Sequence, residues 1–149
     1  MNRSSLLFGV VILALLGLAD AWYLAESALS GASLACDISG LSGCNLVAQS
    51  EYSRLFGVPL AVYGAVFYAL FFVLSACVWF FHNRTLYHVL VASAVVGILA
   101  STYFLYLQFF VIKALCIYCI ASFVIALLLF GGAAVLWKRF MPPVLVVIP

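Results

Sequence analysis

Cys116-Ile117-Tyr118-Cys119 sets two thiols three residues apart inside an almost uninterrupted apolar run from Leu86 to Trp137. On a helix, positions i and i+3 share a face with about 5–6 Å between Cβ atoms, a separation from which small adjustments interconvert dithiol and disulfide. A structural disulfide at that spacing constrains almost nothing, whereas an exchangeable one needs adjacent sulfurs. A second pair, Cys36 and Cys44, lies in the one long polar segment, with seven residues between them. A disulfide closing that small loop contributes about 2.6 kcal/mol in the chain-entropy model. That value is compatible with a plain staple and also with exchange, because about 30 mV of potential corresponds to about 1.4 kcal/mol for a two-electron couple. A four-cysteine zinc site is a further reading of the CxxC spacing. The two pairs together favour a thiol relay.

The position of the CxxC sharpens that chemistry. A helix N-terminus stabilises negative charge, and Cys116 falls near the start of an apolar helix, with Lys113 one turn earlier. Cys116 is therefore expected to carry the more accessible thiolate. Cys119, one turn deeper, is placed to meet a lipid-soluble oxidant. Cys77 lies alone among apolar residues, where a free cysteine behaves as a small hydrophobe; it receives no function.

These residues need a membrane to position them. Of 149 residues, 69% are hydrophobic and 7% charged, against about a quarter charged in soluble domains. Four spans are predicted: Leu6 to about Leu24, Val58 to Phe81, Leu86 to about Val111, and Ala114 to Trp137. The last two form one run too long for a single crossing, so a tight reversal is expected near Gln108 to Lys113. In lipid the backbone must satisfy its own hydrogen bonds, which makes each span a helix. The expected architecture is an all-α integral membrane protein over residues 1–149, a four-helix bundle capped by a loop at about residues 27–57. Gly31, Gly40, Gly43 and Gly57 make that loop largely non-helical.

Charge orients the bundle. Arg3, Arg84, Lys138 and Arg139 fall at one end of a four-span bundle, and Arg54 and Lys113 at the other. Basic residues in short loops favour the cytoplasm, so both termini are expected inside the cell membrane, with the loop, the acids Asp20, Glu26, Asp37 and Glu51, and both cysteine pairs on or near the outer side. Disulfides persist in that compartment. A net charge of +2, small and scattered, gives no footprint for nucleic acid. Arg3 ahead of an apolar stretch ending in Ala19-Asp20-Ala21 has the outline of a secretory signal, but cleavage would leave an odd number of spans and break the charge pattern. A retained anchor helix is the expectation. The chain length leaves no room for a soluble domain, so a soluble partner is expected as a separate chain. The Met141-Pro142-Pro143 tail is uninformative.

Cys36, Cys44-Asn45, Ser50, Phe56-Gly57-Val58-Pro59, Tyr63-Gly64, Tyr68 and Cys116-Ile117-Tyr118-Cys119 together resemble the vitamin K epoxide reductase family, most closely its bacterial and archaeal members. The resemblance covers nearly all of the chain from Cys36 to the fourth span. It implies a four-helix bundle around a quinone of the ubiquinone, menaquinone or vitamin K type. It also implies electron transfer from a thioredoxin-like, DsbA-like protein to Cys36/Cys44, exchange between Cys44 and Cys116, and delivery from Cys119 to the quinone. Ser50, by similarity, folds near the active site, although a turn or helix-cap serine is an equal reading. The vertebrate enzymes hold the vitamin K head group with an Asn and a Tyr, and the matching positions here are Leu60 and Phe123. Many bacterial relatives carry a fused thioredoxin-like domain. An apolar pocket of Val47, Tyr63, Phe67, Gln108 and Phe123 is expected to hold the quinone ring, since such sites are mostly apolar with few polar anchors. Gln108, near the end of a span, has headgroup contact as its alternative.

The expected activity is therefore thiol oxidation coupled to quinone reduction in support of disulfide formation. Reduction of a vitamin K epoxide or quinone as the metabolic purpose is the enzymatic alternative. A four-span scaffold with a stapled loop is the non-enzymatic one.

Overall fold

A computed structural model describes residues 2–36 and 43–140. Asp37 and Gly40 of the expected loop, and the Met141-Pro142-Pro143 tail, lie outside the described residues. Four helices are long and apolar enough to cross a membrane: α1 (Arg3–Ser30), α3 (Leu60–Phe81), α4 (Arg84–Tyr106), which continues as a π-helical turn over Leu107–Ile112, and α5 (Ile117–Phe140). Between α1 and α3 lie the short α2 (Cys44–Gln49), a 3₁₀ turn at Glu51–Ser53, and a two-residue antiparallel pair, β1 (Arg54–Leu55) with β2 (Val58–Pro59).

The elements end where local chemistry ends them. Helix α1 runs beyond the expected Leu24 because Glu26, Ser27 and Ser30 continue it; Ser30 Oγ donates back to the Glu26 carbonyl, and Gly31 at φ 71° takes the left-handed cap. Helix α4 begins at Asn83, whose side chain accepts from the Thr85 N–H. The reversal between α4 and α5 falls later than the sequence suggests. Widening to π form carries the helix through Ile112, Lys113 turns left-handed at φ 56°, and the Lys113 and Ala114 N–H groups both donate to the Gln108 carbonyl. The β1–β2 turn uses Phe56 and Gly57, both at positive φ, the pairing that a two-residue hairpin requires.

The bundle forms a ring in which α1 packs on α3 and α5, and α4 on α3 and α5. Buried positions recur at three- and four-residue spacing: Leu7, Val10, Ala14, Gly17 and Ala21 on α1; Ala65, Tyr68 and Phe71 on α3; Tyr87, Leu90 and Ala94 on α4; Ala126, Leu129 and Ala133 on α5. Small residues in these stripes allow close approach, as in membrane bundles generally. Large side chains such as Phe8, Trp22, Leu70, Phe80 and Leu99 point outward, which suits a lipid surround.

Arg3 Nη1 lies 2.8 Å from His82 Nδ1, which is in turn 2.8 Å from the Tyr87 hydroxyl. This ties the start of α1 to the α3–α4 turn. The alternating helix directions then put Arg3, Arg84, Lys138 and Arg139 at one end and both cysteine pairs at the other.

Tyr68 links three helices. Its hydroxyl donates to the Ser122 carbonyl at 3.0 Å and lies 2.8 Å from Ser122 Oγ, while its ring lies where a Cβ on Gly17 would project. Gly17→Val is expected to displace that ring and destabilise the bundle by about 1–3 kcal/mol, read as a lower Tm of the detergent-solubilised protein; an unchanged Tm would contradict this packing.

Candidate active site

The cysteine end is built around two adjoining peptide units. The Leu34 N–H donates to Asn45 Oδ1 at 2.8 Å, and Asn45 Nδ2 donates to the Leu34 carbonyl at 3.3 Å. One residue on, the Ala35 N–H donates to the Tyr23 hydroxyl at 3.3 Å, and the Tyr118 hydroxyl donates to the Ala35 carbonyl at 2.8 Å. The Tyr23 and Tyr118 rings pack with centroids 5.2 Å apart. Asn45 follows Cys44, Ala35 precedes Cys36, and Tyr118 stands between Cys116 and Cys119 in the chain, so this one network reaches the neighbours of all four cysteines.

Cys36 and Cys44 form a disulfide with 6.1 Å between Cα atoms, and Cys116 and Cys119 are free. Cys36, Cys44 and Cys116 are all buried and pack with Leu34 in one apolar cluster; Cys119 packs against its edge. Gly43 makes this contact possible. A Cβ there would lie 2.8 Å from the Leu115 backbone nitrogen and carbonyl oxygen and 2.9 Å from Ala114 Cβ, so a glycine lets the start of α2 press against the segment that leads into Cys116.

Cys116 immediately precedes α5, its carbonyl accepting from the Ile120 N–H at 3.1 Å. Its own N–H donates to Gln108 Oε1 at 3.0 Å. The hydrogen bond from the Cys119 thiol lowers the Cys116 pKa to about 7, against the opposing effect of burial. A populated thiolate is therefore maintained although Cys116 is only 1% exposed. That burial corrects the expectation that Cys116 is the more accessible thiol: Cys119 is the half-buried one, because the loop covers Cys116.

Below the cluster lies a cavity of about 330 Å³, within the ~300–1,000 Å³ typical of small-molecule sites. Cys44, Cys116 and Cys119 reach it, with Val47, Ser50, Tyr63, Phe67 and Gln108 among the other lining residues. Gln108 is 2% exposed and faces inward between the CxxC and the cavity, not toward headgroups. Ser50 Oγ donates to the Val47 carbonyl at 2.7 Å, so it ends α2 and lines the cavity at once. Tyr63 donates to the Leu55 carbonyl at 3.1 Å and ties α3 to the hairpin. Leu60 also lines the wall, but Phe123 does not. Ser122 stands in its place, since it follows Cys119 by three positions and shares its face of α5.

Residues 9–133 match the vitamin K epoxide reductase family. The chain belongs to that family. It is also 29% identical over 99 residues to vitamin K epoxide reductase complex subunit 1 of Mus musculus, a match that covers 60% of this chain and 62% of that curated relative. Family membership and the four long apolar helices make this a multi-pass membrane protein.

Asp20, Tyr68 and Ser122 also line the cavity, and sequence reading had given none of them a role in the pocket. Asp20 carried a usable signal, because an ionisable side chain within a membrane span is a functional candidate by default. Tyr68 had only its place in the family pattern, and Ser122 had none beyond its spacing from Cys119.

Two outcomes follow for Cys116. In the reduced protein, its reaction with an aromatic disulfide should titrate near pH 7, and Cys119→Ala, which removes the hydrogen bond, should move the midpoint up toward the ordinary thiol value of about 8.5. Gly43→Ala should lift α2 from the reversal and raise maleimide labelling of Cys116 severalfold; unchanged labelling would contradict the close approach.

Proposed function

We propose that the protein is a membrane thiol:disulfide oxidoreductase that passes electron pairs from a separate thioredoxin-like partner, through Cys36/Cys44 and then Cys116/Cys119, to a membrane quinone, thereby supporting disulfide formation. The observation that carries this reading is the placement of Cys116 in one buried cluster with the loop disulfide, while Cys119 borders a largely apolar cavity. Family membership supports redox chemistry of this kind, and the charge distribution supports an extracytoplasmic site.

Each exchange forms one S–S bond and breaks another. A partner thiolate attacks the loop disulfide, the partner's second thiol closes its own disulfide, and Cys36 and Cys44 are left reduced. Cys44 then attacks Cys116 of the oxidised CxxC and Cys119 leaves as thiolate. Cys36 attacks Cys44, restores the loop disulfide and releases Cys116. Its lowered pKa makes Cys116 a good leaving group in that last step. The CxxC dithiol next gives up two electrons and two protons and closes to a disulfide, and the quinone takes up both and becomes a quinol.

The lining suits a quinone ring better than a group needing the vertebrate Asn and Tyr anchors. Leu60 offers no hydrogen bond, and Phe123 lies outside the cavity. We therefore place quinone reduction ahead of epoxide reduction.

Cys119→Ser is expected to reduce quinol formation from a thioredoxin-like donor by at least about 100-fold, the scale on which loss of a reacting group acts. Cys36→Ser should block the protein donor but spare reduction of the CxxC by a small dithiol. Full quinone turnover in Cys119→Ser would overturn the relay, and equal loss with both donors in Cys36→Ser would reduce the loop to structural support.

A further inference from the structure

Asp20 sits on the inner part of α1 and lines the same cavity as Cys119, Tyr68 and Ser122. Among the described residues, its Oδ2 is the one buried side-chain oxygen or nitrogen with no hydrogen-bond partner. Several other polar groups around the cavity are engaged, while the Ser101 and Tyr52 hydroxyls also line it without a side-chain hydrogen bond among the described residues. The Tyr68 hydroxyl is held by Ser122, Tyr63 donates to Leu55, Ser50 donates to Val47, and Gln108 Oε1 accepts from the Cys116 N–H. A carboxyl in a membrane-spanning helix is costly to desolvate, and an unsatisfied oxygen adds to that cost. Among the described residues, neither a salt bridge nor a capping role offsets it.

A bound quinone presents two carbonyl oxygens that must each gain a proton as the electron pair arrives. The apolar Leu60 and the excluded Phe123 supply none. We infer that Asp20 is the acid–base group of the cavity: as a carboxylic acid it hydrogen-bonds one quinone oxygen and gives up its proton there, and as a carboxylate it takes the proton that leaves Cys119. This inference rests on the quinone-reductase reading and assigns a further catalytic residue within it.

The step balances. Cys116 and Cys119 lose two electrons and two protons and form one S–S bond. The quinone gains two electrons and two protons. Asp20 carries one proton from Cys119 to the nearer oxygen and ends unchanged. The Cys116 proton leaves to water, and the other oxygen takes its proton from water at the loop side, where the exposed Tyr52 and Arg54 line the cavity. The ionisable groups facing Asp20 are Tyr68 from α3, Cys116 at the reversal, and Tyr118 and Cys119 from α5. Titration of the Cys116 thiol therefore also shapes a pH profile, and it must be separated from that of Asp20.

The test uses full-length protein in nanodiscs, with Asp20→Asn and Asp20→Glu beside wild type. Three quantities are read: menadione binding in a Cys119→Ser background, loop-to-CxxC thiol exchange, and the pH profile of single-turnover quinol formation. Asn keeps the shape and a hydrogen-bond donor, so binding should change by less than about threefold and exchange should be unaltered. Quinol formation should fall about 100-fold, the lower end of general acid–base effects, and lose the titration that is absent from the exchange profile. Asp20→Glu should restore part of the rate together with that titration. Asp20→Asn turning over within threefold of wild type with the same pH profile would overturn the inference, as would an Asp20→Glu variant that folds and binds menadione but is no faster than Asp20→Asn. Thiol exchange without quinol formation in wild type would instead sink the quinone-reductase reading, and the inference with it.

Discussion

Four hydrogen bonds to the peptide units of Leu34 and Ala35 govern the arrangement of sulfurs. They reach those units from three parts of the chain: Tyr23 on α1, Asn45 on α2 and Tyr118 on α5. The loop is thereby fastened to both the bundle wall and the CxxC without relying on a disulfide. That independence matters chemically. A relay in which each S–S bond opens and closes in turn needs its sulfurs held near one another by something that does not itself undergo exchange. The same bonds close the loop over Cys116, and burial there is offset by the Cys119 hydrogen bond that sustains its thiolate.

The membrane sets the second condition. With most of the surface facing lipid, the bundle has only narrow inward stripes for its packing, and these are rich in small residues. Gly17 admits the Tyr68 ring, and Gly97 faces Phe67, whose ring would lie 2.6 Å from a Cβ at that position. Both aromatics line the cavity, so close helix approach and cavity shape have the same origin. Toward the opposite end, Leu129, Ala133 and Leu136 on α5 join the core of α1, α3 and α4, and that packing fixes the helices whose other ends carry the cysteines.

Much of this was legible in the sequence, and for physical reasons. Apolar runs and the cost of unpaired backbone in lipid revealed four helices, and the paired cysteines revealed the kind of chemistry. Helix ends were less visible. Ser27 and Ser30 look like loop residues yet continue α1, and the π turn at Leu107–Ile112 depends on tertiary fit that composition does not record. Exposure of single thiols was also hidden, because Cys116 is covered by α2, whose approach depends on Gly43. Val47, Ser50, Tyr63, Phe67 and Gln108 line the cavity, while Phe123 lies one residue beyond the lining Ser122, a rotation of about 100° on a helix. Asp20 stood in plain view as an acid within a span and was read only for its place in a cleavage-like motif and on the outer side.

The central claim is that electrons cross from the loop to the CxxC by direct exchange between Cys44 and Cys116. Mass-spectrometric mapping of disulfides in the Cys36→Ser/Cys119→Ser protein after mild oxidation, quenched under non-reducing conditions, tests it most directly. With both resolving thiols removed, a Cys44–Cys116 linked peptide is the predicted product. Cys44 and Cys116 left unlinked, or a Cys36–Cys116 link forming readily in Cys44→Ser/Cys119→Ser, would contradict the account.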